Sequence, residues 1–205
     1  MNPVDALGGG DISLPLLHLT STTTGVAQSL ALQALKTWSE DHPDCMQTCI
    51  RAGAIPLLLA VFSACLPTAA ADVAAAYSAS LAVIHLRAMV REGGDEGASA
   101  FLQANGVAIL NSLLIQLALD PRSLCLVLYL LNDVTRRSSE VLDAAINARL
   151  VDQVVSVLRY VSSSSSSPLF ALCVHTFFTF LMLGFFSLPT PTHPHAPFTH
   201  IFIFL

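Results

Sequence analysis

Apolar residues recur along this chain at helical spacing, and proline and glycine interrupt them at regular intervals. Ile55–Leu66 reads as a helix stopped by Pro67. Ala70–Arg91 reads as a longer one, with Tyr77, Leu81, Ile84 and Ala88 at i, i+4, i+7 and i+11 on one face. Upstream, a short helix has Pro43 suited to its first turn and ends at Gly53, which permits a sharp turn that a Cβ would obstruct. The order then repeats as Ala98–Asn105, Val107–Leu119 and Arg122–Arg137, with Asp120 as a helix cap and Pro121 opening the last helix. Segments beginning at Arg51, Ala104 and Ala148 align with one another, and a weaker copy begins at Gly10. Taking Ile12, Ile55, Val107 and Val151 as equivalent gives spacings of 43, 52 and 44 residues. Two of the three fall in the range of about 40–47 residues that marks stacked helical repeats. The long spacing contains the Gly-rich stretch Glu92–Gly97, which reads as a solvated loop between repeats.

Over residues 10–159 the chain resembles the armadillo (ARM) repeat family. The turn Gly53-Ala54-Ile55-Pro56-Leu57-Leu58, followed by a longer helix, carries the resemblance, and a HEAT-like array fits the same spacing. The fourth copy departs from the pattern, with Arg149 at the turn glycine and a stop after its second helix. The resemblance implies an all-α, right-handed α-solenoid of about three and a half repeats, whose longest helices line a concave surface suited to a peptide or a partner's helix. In the family, an asparagine near the end of each long helix typically holds a bound peptide backbone. Its position maps onto Thr37, His85 and Asn132, and only Asn132 keeps the residue. The tryptophan typical of nuclear-import receptors is replaced by Gln33, Leu81 and Leu128, which argues against import-receptor function. Arg87, Arg91, Arg136 and Arg137 edge this polar ladder, which suits an acidic or polar partner segment. Ordinary surface polarity is the plainer account of the same residues.

Charge divides the chain. All 23 charged residues lie at or before Arg159, and the 46 residues from Tyr160 onward carry none. Residues 160–168, with serines at 162–167, read as a solvated linker after a flexible start at 1–9. Leu169–Leu188, bounded by Pro168 and Pro189, is 20 uncharged residues long, enough to span about 30 Å of hydrocarbon. It is a candidate C-terminal membrane anchor that would leave the repeat domain facing the cytosol. A helix packed on the domain is the second reading of the same run. A third is that the Ser-, Phe-, Leu- and Pro-rich tail, including 189–205, is pyrimidine-rich DNA translated by an erroneous gene model.

The remaining composition narrows the chemistry. A net charge of -5 with a single lysine, Lys36, argues against nucleic-acid binding, which needs clustered cations on phosphates. The start of the chain has no basic n-region and no apolar h-region, and the five cysteines sit in apolar stretches, so a cytoplasmic, reducing setting is expected. His42, Cys45 and Cys49 offer three potential ligands where structural zinc needs four, so no metal is expected. Gly93–Gly97 matches the active loop of cyclic-dinucleotide synthases in sequence but lacks flanking strands, and Gly8–Gly10 lacks the Lys-Ser/Thr of a phosphate loop. Arg136-Arg137-Ser138-Ser139 reads as a basic helix end followed by a serine cap, and less well as a kinase site. The expectation is a non-enzymatic protein–protein interaction module without cofactors. A regulator resembling the Hsp70 nucleotide-exchange factors and a tail-anchored adaptor are the alternatives.

Overall fold

The computed structural model describes residues 12–42, 45–117 and 121–164, and every regular element among them is helical. In chain order they are α1 (Ser13–Thr22), α2 (Gly25–Asp41), α3 (Cys45–Arg51), α4 (Ala54–Cys65), a 3-10 turn at Leu66–Thr68, α5 (Val73–Gln103), α6 (Gly106–Leu117), α7 (Pro121–Arg137), α8 (Ser139–Asn147) and α9 (Leu150–Ser164). Pro43, Asp120, the start at 1–9, the apolar run Leu169–Leu188 and the tail at 189–205 lie outside the described residues.

One helix corner occurs three times. Gly53, Asn105 and Arg149 each adopt a positive φ, of 83°, 54° and 52°. Each sits between a short helical stretch and the first residues of α4, α6 or α9. The amide of each donates to the carbonyl three residues back, Ile50, Leu102 or Ile146, at 3.0, 2.9 and 3.0 Å. The carbonyl of each then accepts from the amide four residues on, at Leu57, Ile109 or Gln153. A left-handed residue here turns the chain sharply while satisfying carbonyls that the preceding helix leaves unpaired. Glycine takes this conformation without penalty and asparagine tolerates it; at Arg149 the corner holds despite the side chain.

The helices form two layers. α2, α5 and α7 lie side by side, α2 on α5 and α5 on α7. α1, α4 and α6, which pair with them in turn, form the second row together with α9, α1 on α4, α4 on α6 and α6 on α9. The core between the layers is aliphatic, with Leu32, Leu35, Ile55, Leu58, Leu86, Leu110, Leu114 and Leu131 all buried and Phe62 and Phe101 as its large aromatics. Polar bonds tie one copy of the pattern to the next. Ser29 Oγ donates to the Ala74 carbonyl, Arg51 pairs with Glu96, and Asn111 Nδ2 donates to the Ala148 carbonyl.

Three expectations need correction. Glu92–Gly97 is not a loop: α5 continues through it, kinked where Gly94 takes φ 57° and ψ -131°. Gly97 is buried where the second limb of α5 folds back onto the backbone of the first at Met89 and Val90, and Gly93 is buried against the Ile50 side chain of α3. The stripe of Tyr77, Leu81, Ile84 and Ala88 is buried only at Leu81. Tyr77 is exposed, and Ile84 and Ala88 are half-buried. The wide buried arc of α5 instead packs against α2, α3, α4 and α7, so a long run of alanines and leucines is needed around most of the helix. Residues 160–164, expected in a linker at 160–168, are instead the end of α9. α5 is long and apolar enough to cross a membrane by length and composition. It packs against α2, α3, α4, α6, α7 and α8, which makes it the central core helix.

Candidate functional site

The outer edges of α2, α5 and α7 form a continuous polar and aromatic surface. On α5 the less buried positions are Tyr77, Ser80, Ile84, Arg87, Ala88 and Arg91; on α7 they are Leu126, Tyr129, Asn132, Asp133 and Arg136. These follow the 3.6-residue period of one helix stripe, the stripe left uncovered when both flanks are packed.

Two cross-links hold neighbouring helices in register on this surface. The Tyr77 hydroxyl donates to Gln33 Oε1 at 2.8 Å, joining α5 to α2. Arg87 Nε donates to Asp133 Oδ2, joining α5 to α7, and its guanidinium also lies 4.8 Å from the centre of the Tyr129 ring. Arg87 is thereby fixed by a carboxylate and an aromatic face together, both favourable partners for a planar cation. Asp133 is mostly buried and Arg87 is partly so, so the pair is shielded from water more than an exposed pair would be.

The ladder inferred from the sequence is placed as follows. Thr37 is exposed on α2, and its hydroxyl donates to the Gln33 carbonyl of its own helix. Asn132 is half-buried on α7, with its Oδ1 buried and unpaired. His85 does not reach this surface: it is 1% exposed and faces α2, with Nε2 3.0 Å from the Leu32 carbonyl. A carbonyl can only accept, so Nε2 carries the proton in this bond. The interface between α2 and α5 needs a donor at that point, and His85 supplies it from inside the core. Arg91, Arg136 and Arg137 are exposed, and Arg137 lies close to the Gly94 kink. Arg136 and Arg137 occupy the last turn of α7, where their charge complements the helix dipole. Ser138 then caps α8 by accepting from the Val141 amide.

Sequence reasoning missed Gln33, Tyr77, Tyr129 and Asp133 as members of this surface. A signal for them existed. Arg87 and Asp133 stand 46 residues apart, Tyr77 and Gln33 44, and Arg51 and Glu96 45. Complementary groups at these separations are brought together by the packing of neighbouring helices.

Burial pushes the His85 imidazole below the ordinary histidine range, aided by the positive charge of Lys36 and opposed by the Leu32 bond and Glu40. The sign of the resulting pH effect is definite. An unfolded chain takes up a proton near pH 6.5, whereas folded His85 resists it, so stability falls as pH drops through that value. Urea unfolding of the protein is expected to show this loss between about pH 7 and 5, and the His85→Leu variant to lose part of that slope. At neutral pH that variant should be less stable by about 1 kcal/mol, for the lost bond to Leu32. A pH slope unchanged in the variant would overturn the assignment.

The thiol and metal candidates lie elsewhere. His42 stacks on Trp38 with ring centroids 3.8 Å apart, and its Nδ1 lies 3.2 Å from the Trp38 carbonyl. Cys45 and Cys49 share α3, with Cys49 buried. Among the described residues no group of three or more His, Cys, Asp or Glu side chains comes together to hold a metal. Burial, helped by Asp72, pushes the Cys65 thiol up, and its Sγ donates to Gln28 Oε1 at 3.4 Å, so it behaves as a core group and not a nucleophile. Set beside known proteins, this chain matches no family model, no curated protein and no solved structure.

Proposed function

We propose that the chain is a non-enzymatic protein–protein interaction module, an ARM-like right-handed solenoid. It binds a polar or acidic peptide segment, or a partner's helix, across the α2–α5–α7 surface in a cytoplasmic setting. The observation carrying this reading is the side-by-side layer of three long helices, with its outer edge fixed by the Tyr77–Gln33 and Arg87–Asp133–Tyr129 contacts. Such a surface has a long, shallow form and prearranged polar groups, which suit main-chain and side-chain bonds to an extended partner. Arg91 and Arg136 supply positive charge that is not already committed to Asp133. Asn132 stands half-buried on the same stripe of α7 as Arg136.

An array of acidic and neutral peptides, followed by fluorescence anisotropy on the strongest binder, tests this. Asn132→Ala and the pair Arg91→Glu/Arg136→Glu should each weaken binding at least about tenfold, or about 1.4 kcal/mol, while the helical circular-dichroism signal stays intact. Unchanged affinity in both variants, or no binding by any peptide, would remove the reading.

A further inference from the structure

Apolar and charged side chains lie at opposite edges of the α2–α5–α7 surface. Ser29 Oγ donates to the Ala74 carbonyl and His85 Nε2 to the Leu32 carbonyl, so residue numbers on α2 and α5 rise together and the two helices run parallel. Arg87 bonds Asp133 and Gly94 lies beside Arg137, so α7 runs the same way. The surface therefore has one edge where the three helices begin and another where α2, the first limb of α5 and α7 end.

The starting edge is apolar. Val26 and Leu30 stand one turn apart on α2, and Val73 and Tyr77 stand one turn apart on α5. All four are exposed, Val73 by 85%, and they are four of the ten exposed large apolar or aromatic side chains among the described residues. Exposed apolar residues scattered singly are ordinary, whereas a group at one corner of a surface marks a contact site. The bond from the Tyr77 hydroxyl to Gln33 joins the two stripes and holds the ring in place before anything binds, which lowers the cost of ordering it.

The finishing edge is cationic on its α5 and α7 side. Arg91 lies one turn beyond Arg87 and Arg136 three residues beyond Asp133, so both stand just past the Arg87–Asp133 bridge. Both are exposed, and among the described residues no ion pair uses either. On the α2 side Glu40 is held by Lys36. Fourteen residues of α5 separate Tyr77 from Arg91, about 21 Å at ~1.5 Å per residue. An extended chain at ~3.3 Å per residue covers that distance in about six residues.

We propose that this surface takes an extended peptide segment with bulky apolar side chains at one end and carboxylates about six residues away. The apolar end lies on Val26, Leu30, Val73 and Tyr77, and the carboxylates meet Arg91 and Arg136. This rests on the reading of the surface as a peptide-binding one and adds the pattern and spacing of its ligand. An anionic membrane also offers apolar and negative groups, but a protein lying on it buries apolar side chains only about 5–10 Å from the headgroups, so contacts about 21 Å apart along a surface match it poorly.

Fluorescence anisotropy with labelled peptides tests the proposal. Each carries a Leu-Leu and a Glu-Glu pair, in both orders, separated by two, five or ten Ser/Thr residues. In the better order the five-residue spacer should bind at least about fivefold more tightly than the other two, and replacing its leucines by serines should weaken it at least about tenfold. Leu30→Ser/Val73→Ser, at two exposed positions, should weaken the leucine peptide about tenfold and leave the leucine-free peptide unchanged, with the helical circular-dichroism signal intact. Arg91→Glu/Arg136→Glu should weaken both. Equal affinity with and without leucines, or for every spacer, would overturn the inference while the acidic-peptide reading stands. Binding of no peptide would remove both. Sedimentation with phosphatidylserine vesicles that both variants abolish would overturn the inference in favour of a membrane.

Discussion

Phe101→Ala should lower the unfolding free energy by about 3–5 kcal/mol, read from the midpoint of urea unfolding by circular dichroism. The ring is fully buried and lies where the second limb of α5 meets the start of α6. A Cβ built on Gly106 would come within 2.5 Å of the ring edge, so the aromatic occupies the space that a side chain at 106 would need. That makes the two positions interdependent. Gly106→Ala alone should be destabilising by roughly 1–3 kcal/mol, because the ring has little freedom to move in a packed core. In the Phe101→Ala background the same change should cost far less, since the methyl then enters the emptied space. Additive losses in the double variant would show that the ring is not what excludes a side chain from position 106.

Gly97→Ala is the second large effect, and here the obstacle is backbone. A Cβ at Gly97 would lie 2.6 Å from the Met89 carbonyl oxygen and 3.1 Å from the Val90 Cα. Neither can rotate away, so the two limbs of α5 must separate. The expected cost is about 3 kcal/mol, at the upper end for an overpacked site. Gly93→Ala provides the contrast. Its Cβ would meet only the Cδ1 end of Ile50, a side-chain tip that can adopt another rotamer, so the loss should be about 1 kcal/mol or less. Thermal unfolding of the two variants side by side checks the difference. Equal melting temperatures would mean that the corner is looser than its geometry implies.

This corner shows where the sequence is legible and where it is not. The spacing of Pro67, Gly53, Pro121 and the apolar stretches marks helix ends well. α4, α6 and α7 begin and end within about two residues of the expected positions, as local rules of proline, glycine and capping allow. The same rules misread Glu92–Gly97. Consecutive glycines and acids normally mean an open turn, and nothing local reports that a neighbouring carbonyl lies within 2.6 Å of position 97. The candidate surface divides in the same way. Asn132, Arg91 and Arg136 could be placed on outer faces by mapping the repeat. His85 could not be separated from them, because one imidazole at helical spacing reads alike whether it meets water or the carbonyl of Leu32.

By itself the sequence determined the helical class and the position of most breaks between the helices. These follow from chain-local physics: backbone propensity, proline's missing amide, and apolar residues returning every 3.6 positions. Only the tertiary structure decided which face of α5 is buried, that Arg149 holds a left-handed corner without glycine, and that Arg87 is committed to Asp133 and Tyr129 while His85 is withdrawn into the core. The placements of Arg87 and His85 depend on groups 46 and 53 residues away in the chain, brought together by helix packing. Periodicity along one helix shows that a residue lies on a given stripe, but what faces that stripe is decided by the neighbouring helix.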